Sequence, residues 1–284
     1  MSWRLRLLLA AAVALSLAIA LAGWSYWMAI SEPLVRRTDV HLPGWPADLR
    51  LRVVLISDLH VSGPDMAPER LDTIVEQING LRPDIVLIAG DFVSDKRIAT
   101  RHYRMRRVVA PLAALRPTIG TYAVLGNHDH WRDAAQVRAA LAQVRVRVLD
   151  NDAVQAGAVT IGGLDDDFTG RADLPRTVAR MRRLSGPRIL LSHSPDPFPA
   201  VPADIGLMVA GHTHCGQIWL PFVGAISTMS RHGDRYACGR IDERGRTLIV
   251  SAGLGTSIVP LRLGAAPDMW LIRLRPAPAP APPR

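Results

Sequence analysis

The chain has 284 residues, of which 49% are hydrophobic, so one large domain with a sizeable core is the default expectation. Two cysteines, Cys215 and Cys238, exclude a framework of several disulfides but leave a single bridge open, so they do not settle the compartment. The formal charge of +9 excludes an acidic surface and favours anionic partners, namely phosphate esters, nucleic acid or an anionic membrane face.

The first predicted element is a membrane-spanning helix. Arg4 and Arg6 precede an uncharged run over residues 7–31, and about twenty apolar residues cross a bilayer as a helix. Trp24, Tyr26 and Trp27 follow the most apolar part, where aromatic side chains lie at a membrane surface. Residues 1–31 therefore predict a transmembrane anchor or signal segment.

A cleaved secretory signal peptide is the alternative for this segment. Ala18-Ile19-Ala20 and Ala20-Leu21-Ala22 both resemble cleavage sites. The apolar run extends past a typical signal core, which favours an uncleaved anchor. Arginines lie on both flanks, so the positive-inside rule barely decides the orientation, and the N-terminal amine favours an internal N-terminus with an external domain.

The following residues predict a linker and then one α/β domain. Residues 32–50 contain prolines at 33, 43 and 46 and predict the linker, and the domain covers residues 51–275. In its first half, apolar runs predict strands at residues 52–57, 84–89 and 121–125. Amphipathic stretches predict helices at residues 68–80, 100–115 and 133–143. This alternation indicates a sheet with some parallel pairing.

The second half is richer in predicted strands. They cover residues 159–162, 189–191, 206–210, 217–220, 247–250 and 269–274, with one helix at residues 176–184. Residues 276–284 alternate Pro and Ala and predict an extended, disordered tail.

Candidate ligand residues directly follow five of the apolar strands. In chain order these residues are Asp58 and His60; Asp91; Asn127, His128 and Asp129; His193; and His212 and His214. Ligands bind at the carboxyl edge of such sheets. Glycines at 90, 126 and 211 let the backbone turn sharply there.

The clustering of these side chains predicts a metal site. A buried carboxylate or imidazole is costly unless it is paired, and divalent ions supply the partner. Asp, His and Asn offer the oxygen and nitrogen donors that suit Mn, Fe, Zn or similar ions. Asp91 can bridge two ions about 3.5–4 Å apart, as in two-metal hydrolases.

The ordered motifs resemble the calcineurin-like metallophosphoesterase family over residues 52–269. They are Asp58-x-His60, Gly90-Asp91, Gly126-Asn127-His128-Asp129, His193 and Gly211-His212-Thr213-His214. The resemblance implies a double β-sandwich flanked by helices, a four-layer αββα fold. It assigns one ion to Asp58, His60, Asp91 and His214, and the other to Asp91, Asn127, His193 and His212.

The resemblance also implies in-line hydrolysis of a phosphoester. His128 would donate a proton to the departing oxygen, and Asp129 would orient its ring. Residues 192–196 and 211–217, behind an apolar N-terminal segment, resemble the membrane-associated bacterial branch. Some members of that branch hydrolyse UDP-2,3-diacylglucosamine in lipid A assembly. We expect a monomer at the bacterial inner membrane, single-pass or peripheral, that acts on a phosphorylated small molecule or lipid.

Two other functions are open to such a sequence. One is a tethered phosphodiesterase that acts on soluble nucleotides. The other is a membrane-tethered nucleic-acid-binding protein that uses the positive charge. The intact ligand set argues against the second, as does the lack of stacking aromatics among the basic residues. We therefore expect no nucleic-acid partner.

Several further residues carry weaker signals. The run of aspartates at 165–167 resembles a metal cluster, but like charges in a row are usually solvated. His130 and Trp131 could line the substrate groove, although loop residues that begin a helix are the simpler interpretation. Five arginines are concentrated in one region, at positions 97, 101, 104, 106 and 107. A solvated face is the simpler interpretation, and contact with anionic lipid headgroups is the more specific one.

Overall fold

The computed structural model describes residues 2–276 except 43, 97 and 221, so most of the predicted tail lies outside the described residues. Within them, the α-helices are α1 (Trp3–Ile30), α2 (Pro68–Gly80), α3 (Met105–Val109), α4 (Asn127–Gln143) and α5 (Leu174–Arg182). Short 3-10 helices cover Ala110–Ala114, Phe198–Ala200, His214–Gly216 and Gly233–Tyr236.

The strands alternate with these helices through the first half and dominate the second. They are β1 (Leu34–His41), β2 (Leu51–Ile56), β3 (Ser62–Gly63), β4 (Ile85–Ala89), β5 (Arg101–His102), β6 (Gly120–Val124), β7 (Val146–Val148), β8 (Asp152–Ala156), β9 (Val159–Gly163), β10 (Arg188–Leu191), β11 (Leu207–Ala210), β12 (Trp219–Leu220), β13 (Gly224–Ala225), β14 (Gly239–Glu243), β15 (Arg246–Val250) and β16 (Asp268–Arg275).

Helix α1 is long and apolar enough to cross a membrane. Its 28 residues correspond to about 42 Å at 1.5 Å per residue, the thickness of a bilayer with its headgroups. Its side chains are exposed along most of its length, and only Ser25 and Ala29 near its end are buried against the domain. The structure therefore agrees with the predicted candidate transmembrane helix.

Two six-stranded sheets form the domain. The first has the order β1-β16-β2-β4-β6-β7, in which β2, β4, β6 and β7 run parallel. The second has the order β14-β15-β11-β10-β9-β8, in which β9, β10, β11 and β15 run parallel. Parallel pairing brings the carboxyl ends of the central strands to one edge of each sheet.

Alternating side chains divide the core into layers. Val53 and Leu55 of β2 pack between the two sheets, in the same cluster as Ile189 of β10. Val54 and Ile56 point the other way and pack with α2, α3 and α4. This period of two is the normal geometry of a strand. With α5 on the far face of the second sheet, the order of layers is helix, sheet, sheet, helix, which confirms the predicted αββα fold.

The linker prediction over residues 32–50 is wrong for residues 34–41. Residues 34–41 form β1, which pairs in parallel with β16 along its whole length. Val40, Leu42 and Trp45 are buried. The edge of β16 offers unpaired backbone groups, and the prolines at 33 and 43 bound the strand in the sequence without interrupting it.

The helix predicted over residues 100–115 is also shorter than expected. The segment begins with β5, continues as α3 and ends as a 3-10 helix. Pro111 has no N–H to donate within an α-helix, which accounts for the change of helix type. Strands β7, β8 and β14 were missed because they lie at sheet edges and are only partly buried, so they lack the apolar runs of the central strands.

A disulfide joins Cys215 and Cys238, 23 residues apart in sequence. It is the single disulfide that the two cysteines of the sequence allow. Cys215 follows His214 directly, so the bridge fixes the loop between them beside one of the predicted ligands.

Removal of this bridge by Cys238→Ser is expected to lower the free energy of unfolding by about 3 kcal/mol, because the unfolded chain loses a cross-link that closes a loop of this size. Denaturant titration of the full chain in detergent would measure the loss. A reductant should destabilise the parent chain and leave the variant unchanged. Equal stability of the oxidised parent and the variant would show that the bridge contributes nothing.

Candidate metal centre

All seven predicted ligands meet at the carboxyl edge where the two sheets face each other. Asp58 and His60 follow β2, Asp91 follows β4, and Asn127 follows β6. The second sheet supplies His193 after β10, and His212 and His214 after β11. Six of these side chains are almost fully buried at 0–5% exposure, and His214 is 6% exposed. The sheet topology thus gathers residues that are up to 156 positions apart in the sequence.

The first group comprises Asp58, His60, Asp91 and His214. His60 Nε2 lies 3.1 Å from His214 Nε2 and 3.5 Å from Asp91 Oδ2. His214 Nε2 lies 3.6 Å from Asp58 Oδ1. Donor atoms that share one ion at about 2.0–2.2 Å lie roughly 3–3.6 Å apart. These spacings are therefore those of ligands around one metal ion.

The second group comprises Asp91, Asn127, His193 and His212. His193 Nε2 lies 3.1 Å from Asn127 Oδ1 and 3.1 Å from His212 Nδ1. It also lies 3.3 Å from Asp91 Oδ2, the oxygen that faces the first group. Asp91 thus stands between the groups, as expected of a carboxylate that bridges two ions.

The hydrogen bonds of His193 show that this donor set fits a cation. Its Nδ1 lies 2.7 Å from the carbonyl oxygen of Ala89, so the proton belongs on Nδ1. The lone pair of Nε2 then faces the oxygens of Asn127 and Asp91. Lone pairs at this distance repel one another unless a proton or a metal ion lies among them. A divalent ion supplies that charge, and the orienting bond to a carbonyl is common for metal-binding histidines.

Burial keeps the other three imidazoles in the form that binds metal. It lowers the pKa of His60 and His214 well below the usual range, and that of His212 to about 4. Neutral imidazole is the metal-binding form. Burial also raises the pKa of Asp58 to about 6. For Asp91 burial acts in the same direction, but the neighbouring histidines, His193 first, outweigh it and hold the pKa well below its usual range.

The backbone at the ligands is strained. Five of the seven ligands have positive φ angles between 42° and 69°; they are Asp58, His60, Asp91, His212 and His214. Such conformations cost of order 1–3 kcal/mol each and persist where the surrounding structure enforces them. Hydrogen bonds between strand ends do so here, for example from Asp58 N to Gly90 O at 3.0 Å and from His60 N to Asp91 O at 2.9 Å.

The three glycines beside the ligands serve two different purposes. Gly90 has a φ of +83°, which agrees with the predicted sharp turn. At Gly126 an added Cβ would overlap the Asp91 carboxylate, and at Gly211 it would overlap the Asp58 carboxylate. These two positions require glycine because the carboxylates approach the backbone closely, and not because the chain turns there.

The structure separates the two predicted catalytic residues. Asp129 accepts backbone N–H groups from Asp91 and Phe92 at 2.9 Å and from Gly126 at 3.0 Å. These hydrogen bonds fix the position of the loop that carries Asp91. The carboxylate beside His128 is instead Asp95, whose Oδ1 lies 2.5 Å from His128 Nδ1. The expected Asp129–His128 contact is thus replaced by Asp95, which no motif in the sequence singles out.

The aspartate run at 165–167 is not a solvated face. Asp166 is fully buried and accepts the backbone N–H of Thr169 at 2.8 Å. Asp165 is 8% exposed, and its Oδ1 lies 2.8 Å from Nε2 of His130. The expectation of solvated aspartates is therefore wrong for these two residues, because backbone donors and a histidine compensate their burial.

A cleft of about 370 Å³ opens over the ligand groups. Asp91, Asn127, His128, His212 and His214 line its floor. Much of the remaining lining is apolar, from Trp131, Ile218, Ile226, Met229, Ile258 and Val259. Trp131 therefore lines the groove, whereas the His130 side chain is turned to Asp165. The cleft combines a charged floor with walls suited to an apolar group.

Arg262 lies behind the first ligand group. Its side chain is fully buried and donates to the carbonyl oxygens of Ala252 at 2.7 Å and Ala265 at 3.0 Å. Its Nη2 also lies 3.4 Å from His214 Nδ1. Burial lowers the pKa of Arg262 to about 10. A lone arginine in a loop belongs to no motif, so no signal in the sequence identifies Arg262.

Comparison with known proteins agrees with this geometry. The family model described as calcineurin-like phosphoesterase matches residues 51–216, more than half of the chain. An uncharacterized metallophosphoesterase of Helicobacter pylori is 30% identical over 269 residues, 91% of this chain and 69% of that protein. A Bos taurus transmembrane protein with metallophosphoesterase domain is 30% identical, over 88% of this chain and 59% of its own length. An uncharacterized metallophosphoesterase of Bacillus subtilis is 30% identical, over 79% of each chain.

Proposed function

Because the chain belongs to the calcineurin-like phosphoesterase family and is a metal-dependent phosphoric ester hydrolase, we propose that it cleaves a phosphodiester or pyrophosphate bond of a lipid-linked substrate at a membrane. The observation that carries the proposal is the position of the two ligand groups at the floor of a largely apolar cleft, where Asp91, Asn127, His212 and His214 are among its lining residues. A charged floor suits a phosphoryl group, and apolar walls suit an attached lipid or base.

The two ligand groups would hold two divalent ions of the Mn, Fe or Zn kind. Asp58, His60 and His214 would serve one ion, and Asn127, His193 and His212 the other, with Asp91 shared. Such ions, when bound, supply a water of lowered pKa and neutralise charge on the phosphoryl oxygens. The hydrogen bonds between strand ends, which enforce the left-handed backbone at five of these residues, would hold the donor atoms in place.

His128 would act as the acid at the leaving group. Its ring is half-buried and lines the cleft, and its Nε2 lies 3.9 Å from Asp91 Oδ2, at the side of the ligand groups. Asp95 Oδ1 lies 2.5 Å from the opposite nitrogen, Nδ1, and would orient the ring. A proton on Nε2 can then pass to the departing oxygen. Asp129 would be a positioning residue for Asp91.

We further propose that residues 1–31 anchor the domain as a transmembrane helix, with the domain on the outer side. The length and exposure of α1 support the anchor, as does the printed name of the Bos taurus relative. The Cys215–Cys238 disulfide supports the outer side, because disulfides persist in oxidising compartments. One chain supplies every ligand, so a monomer suffices.

The proposed orientation discriminates among lipid substrates. UDP-2,3-diacylglucosamine would require the cytoplasmic side, where nucleotides are available, so the disulfide disfavours it. A phosphodiester or pyrophosphate lipid on the outer leaflet of the cell membrane fits better. A tethered enzyme for soluble nucleotides is the competing outcome of the test below.

Removal of metal is expected to abolish turnover, by at least about a hundredfold, because the ions carry several kcal/mol of transition-state stabilisation. The full chain in lipid nanodiscs would be treated with chelator, dialysed and reloaded with Mn²⁺, Zn²⁺ or Fe²⁺. Substrates would be bis(p-nitrophenyl) phosphate, nucleotides, UDP-diacylglucosamine and a phosphodiester lipid. Preferential turnover of the lipids supports the proposal, and preference for soluble nucleotides refutes its substrate class. Turnover that survives complete metal removal would refute the two-metal site.

A further inference from the structure

We infer that the surface around the end of α1 lies on the bilayer and brings the mouth of the metal cleft to the headgroup layer. One part of this surface is an apolar rim, which we define as Phe222, Val223, Ile226 and Ile258. The inference rests on the proposed membrane anchoring and extends it, because it identifies the face of the domain that contacts lipid and how the substrate enters.

The length of α1 determines the depth at which the domain begins. The hydrocarbon core of a bilayer takes about twenty helical residues, whereas α1 has 28. Because Arg4 and Arg6 cannot lie in the hydrocarbon, a core that begins near Leu7 ends near Tyr26, and the C-terminal end of α1 lies at headgroup depth. Trp24 and Trp27, whose rings lie 4.9 Å apart, are at this end, where interfacial aromatics are found. Ser25, between them, is buried against the domain, so the domain contacts α1 at headgroup depth.

A short series of backbone hydrogen bonds connects this part of α1 to the hairpin that carries the rim. Arg262 N donates to Ser25 O at 2.9 Å. The next residue, Leu263, bonds on both sides to the segment that leads into β12, with Leu263 N to Gln217 O at 3.0 Å and Trp219 N to Leu263 O at 2.7 Å. The β12–β13 hairpin is thus fixed two hydrogen bonds away from the helix.

The rim residues are exposed and adjacent to the cleft. Val223 is 72% exposed, Ile226 63% and Ile258 70%, and Phe222 is fully exposed. The loop of Ile258 is joined to the hairpin, because Gln217 Nε2 donates to Ser257 O at 3.0 Å. Single exposed apolar residues are ordinary, but a contiguous group marks an interaction site. Ile226 and Ile258 also line the cleft, so the rim continues into its wall.

Basic residues lie on another side of the same helix end. Tyr26 donates its hydroxyl to Pro64 O at 3.3 Å, and the neighbouring Gly63 pairs with Arg101. Arg101 and Arg104 are exposed there. Arginine near a membrane surface binds anionic headgroups. Apolar groups and exposed cations around one transmembrane helix complement an anionic bilayer, and this combination favours lipid over a protein partner.

The position of the rim determines how a lipid substrate reaches the ligand groups. An amphiphile can enter the cleft along Ile226 and Ile258 with its phosphoryl group foremost, while its acyl chains remain in the bilayer or against the rim. The enzyme then need not extract the whole lipid into water, a transfer that becomes less favourable with every CH₂ group exposed. The substrate class that fits is a membrane lipid whose scissile phosphoester lies at headgroup depth.

A fluorescent probe would test the contact independently of activity. Val223→Cys carries a thiol that can be labelled alone, because both native cysteines are in the disulfide. The matched control is Ala158→Cys, exposed just before β9 and hence at the opposite end of the sheet from the ligands. The full chain, labelled with an environment-sensitive dye, would be placed in nanodiscs of anionic lipid containing a nitroxide quencher near the headgroups.

We expect several-fold stronger quenching at residue 223 than at residue 158. Equal quenching at the two positions would overturn the inference, whatever the chain hydrolyses. Because the readout needs no turnover, failure of the proposed function would leave it measurable. Strong quenching without lipid hydrolysis would support the membrane contact and reject the lipid substrate.

The paired substitution Phe222→Ser with Val223→Ser supplies a kinetic test, since neither residue lines the cleft. We expect turnover of a phosphodiester lipid in nanodiscs to fall by at least about tenfold, as the membrane contact loses two large apolar groups. Turnover of bis(p-nitrophenyl) phosphate should not change. Unchanged lipid turnover, or an equal loss on both substrates, would overturn the role of the rim.

Discussion

The Asp91→Asn variant is expected to lose at least about a thousandfold in turnover together with bound metal, because several kcal/mol of transition-state stabilisation depend on the ions. Asp91 Oδ2 faces His60 Nε2 at 3.5 Å and His193 Nε2 at 3.3 Å, one from each ligand group. An amide has one oxygen to offer and no charge, so it cannot balance two cations. We therefore expect metal occupancy to fall at both metal positions.

Elemental analysis of the purified chain would measure this effect beside the assay. Asp72→Asn is the matched control, since Asp72 is exposed on α2 far from the ligands, and it should keep full metal and full activity. The thermal midpoint of both variants would show whether the fold is intact. Full metal content in Asp91→Asn would count against a bridging carboxylate.

The His128→Ala variant is expected to keep both metals and lose about 10²–10⁴-fold in turnover of an alkyl phosphoester, the usual contribution of a general acid. The ring lines the cleft and lies near enough to His60 and Asp91 to share an ion with them, but the two ligand groups already supply four side chains to each ion without it. An alkoxide leaves poorly without a proton, so the loss should be large for alkyl esters. A nitrophenolate leaves without one, so bis(p-nitrophenyl) phosphate should be affected far less.

The comparison of the two leaving groups is the decisive measurement. Asp95→Asn should show the same pattern with a smaller loss, about 10–100-fold, as expected for a residue that acts through another. His102→Ala, at an exposed position on β5, is the control and should change neither rate. An equal loss on both esters in His128→Ala would exclude proton donation and indicate a role in binding.

The ligand residues could be predicted because their position depends on local order along the chain. Each follows an apolar run that is recognisable as a buried strand, and parallel strands bring their carboxyl ends together. This rule and the resemblance of the motifs were sufficient to identify Asp58, Asp91 and His193 as candidate ligands. Helices α1 and α2 could be predicted equally well. An uninterrupted apolar run indicates a membrane-spanning helix, and a clear period of 3.6 residues indicates an amphipathic helix.

Other features depended on contacts between distant segments. Strand β1 exists because β16, more than two hundred residues later, offers an edge for pairing. The burial of Asp166 depends on its local turn and on the packing of the domain around it. Nothing in the composition of residues 34–41 distinguishes them from a loop, because the strand that stabilises them lies elsewhere in the chain.

The sequence by itself thus predicted an α/β fold, the membrane-length helix and the residue types of the candidate metal ligands, because these follow from periodicity and from residue type at strand ends. Only the tertiary structure decided that Asp95 and not Asp129 contacts His128, that Arg262 lies behind His214, and that an apolar rim flanks the cleft beside α1. These are relations between loops, and loop positions are set by the packing of the whole domain.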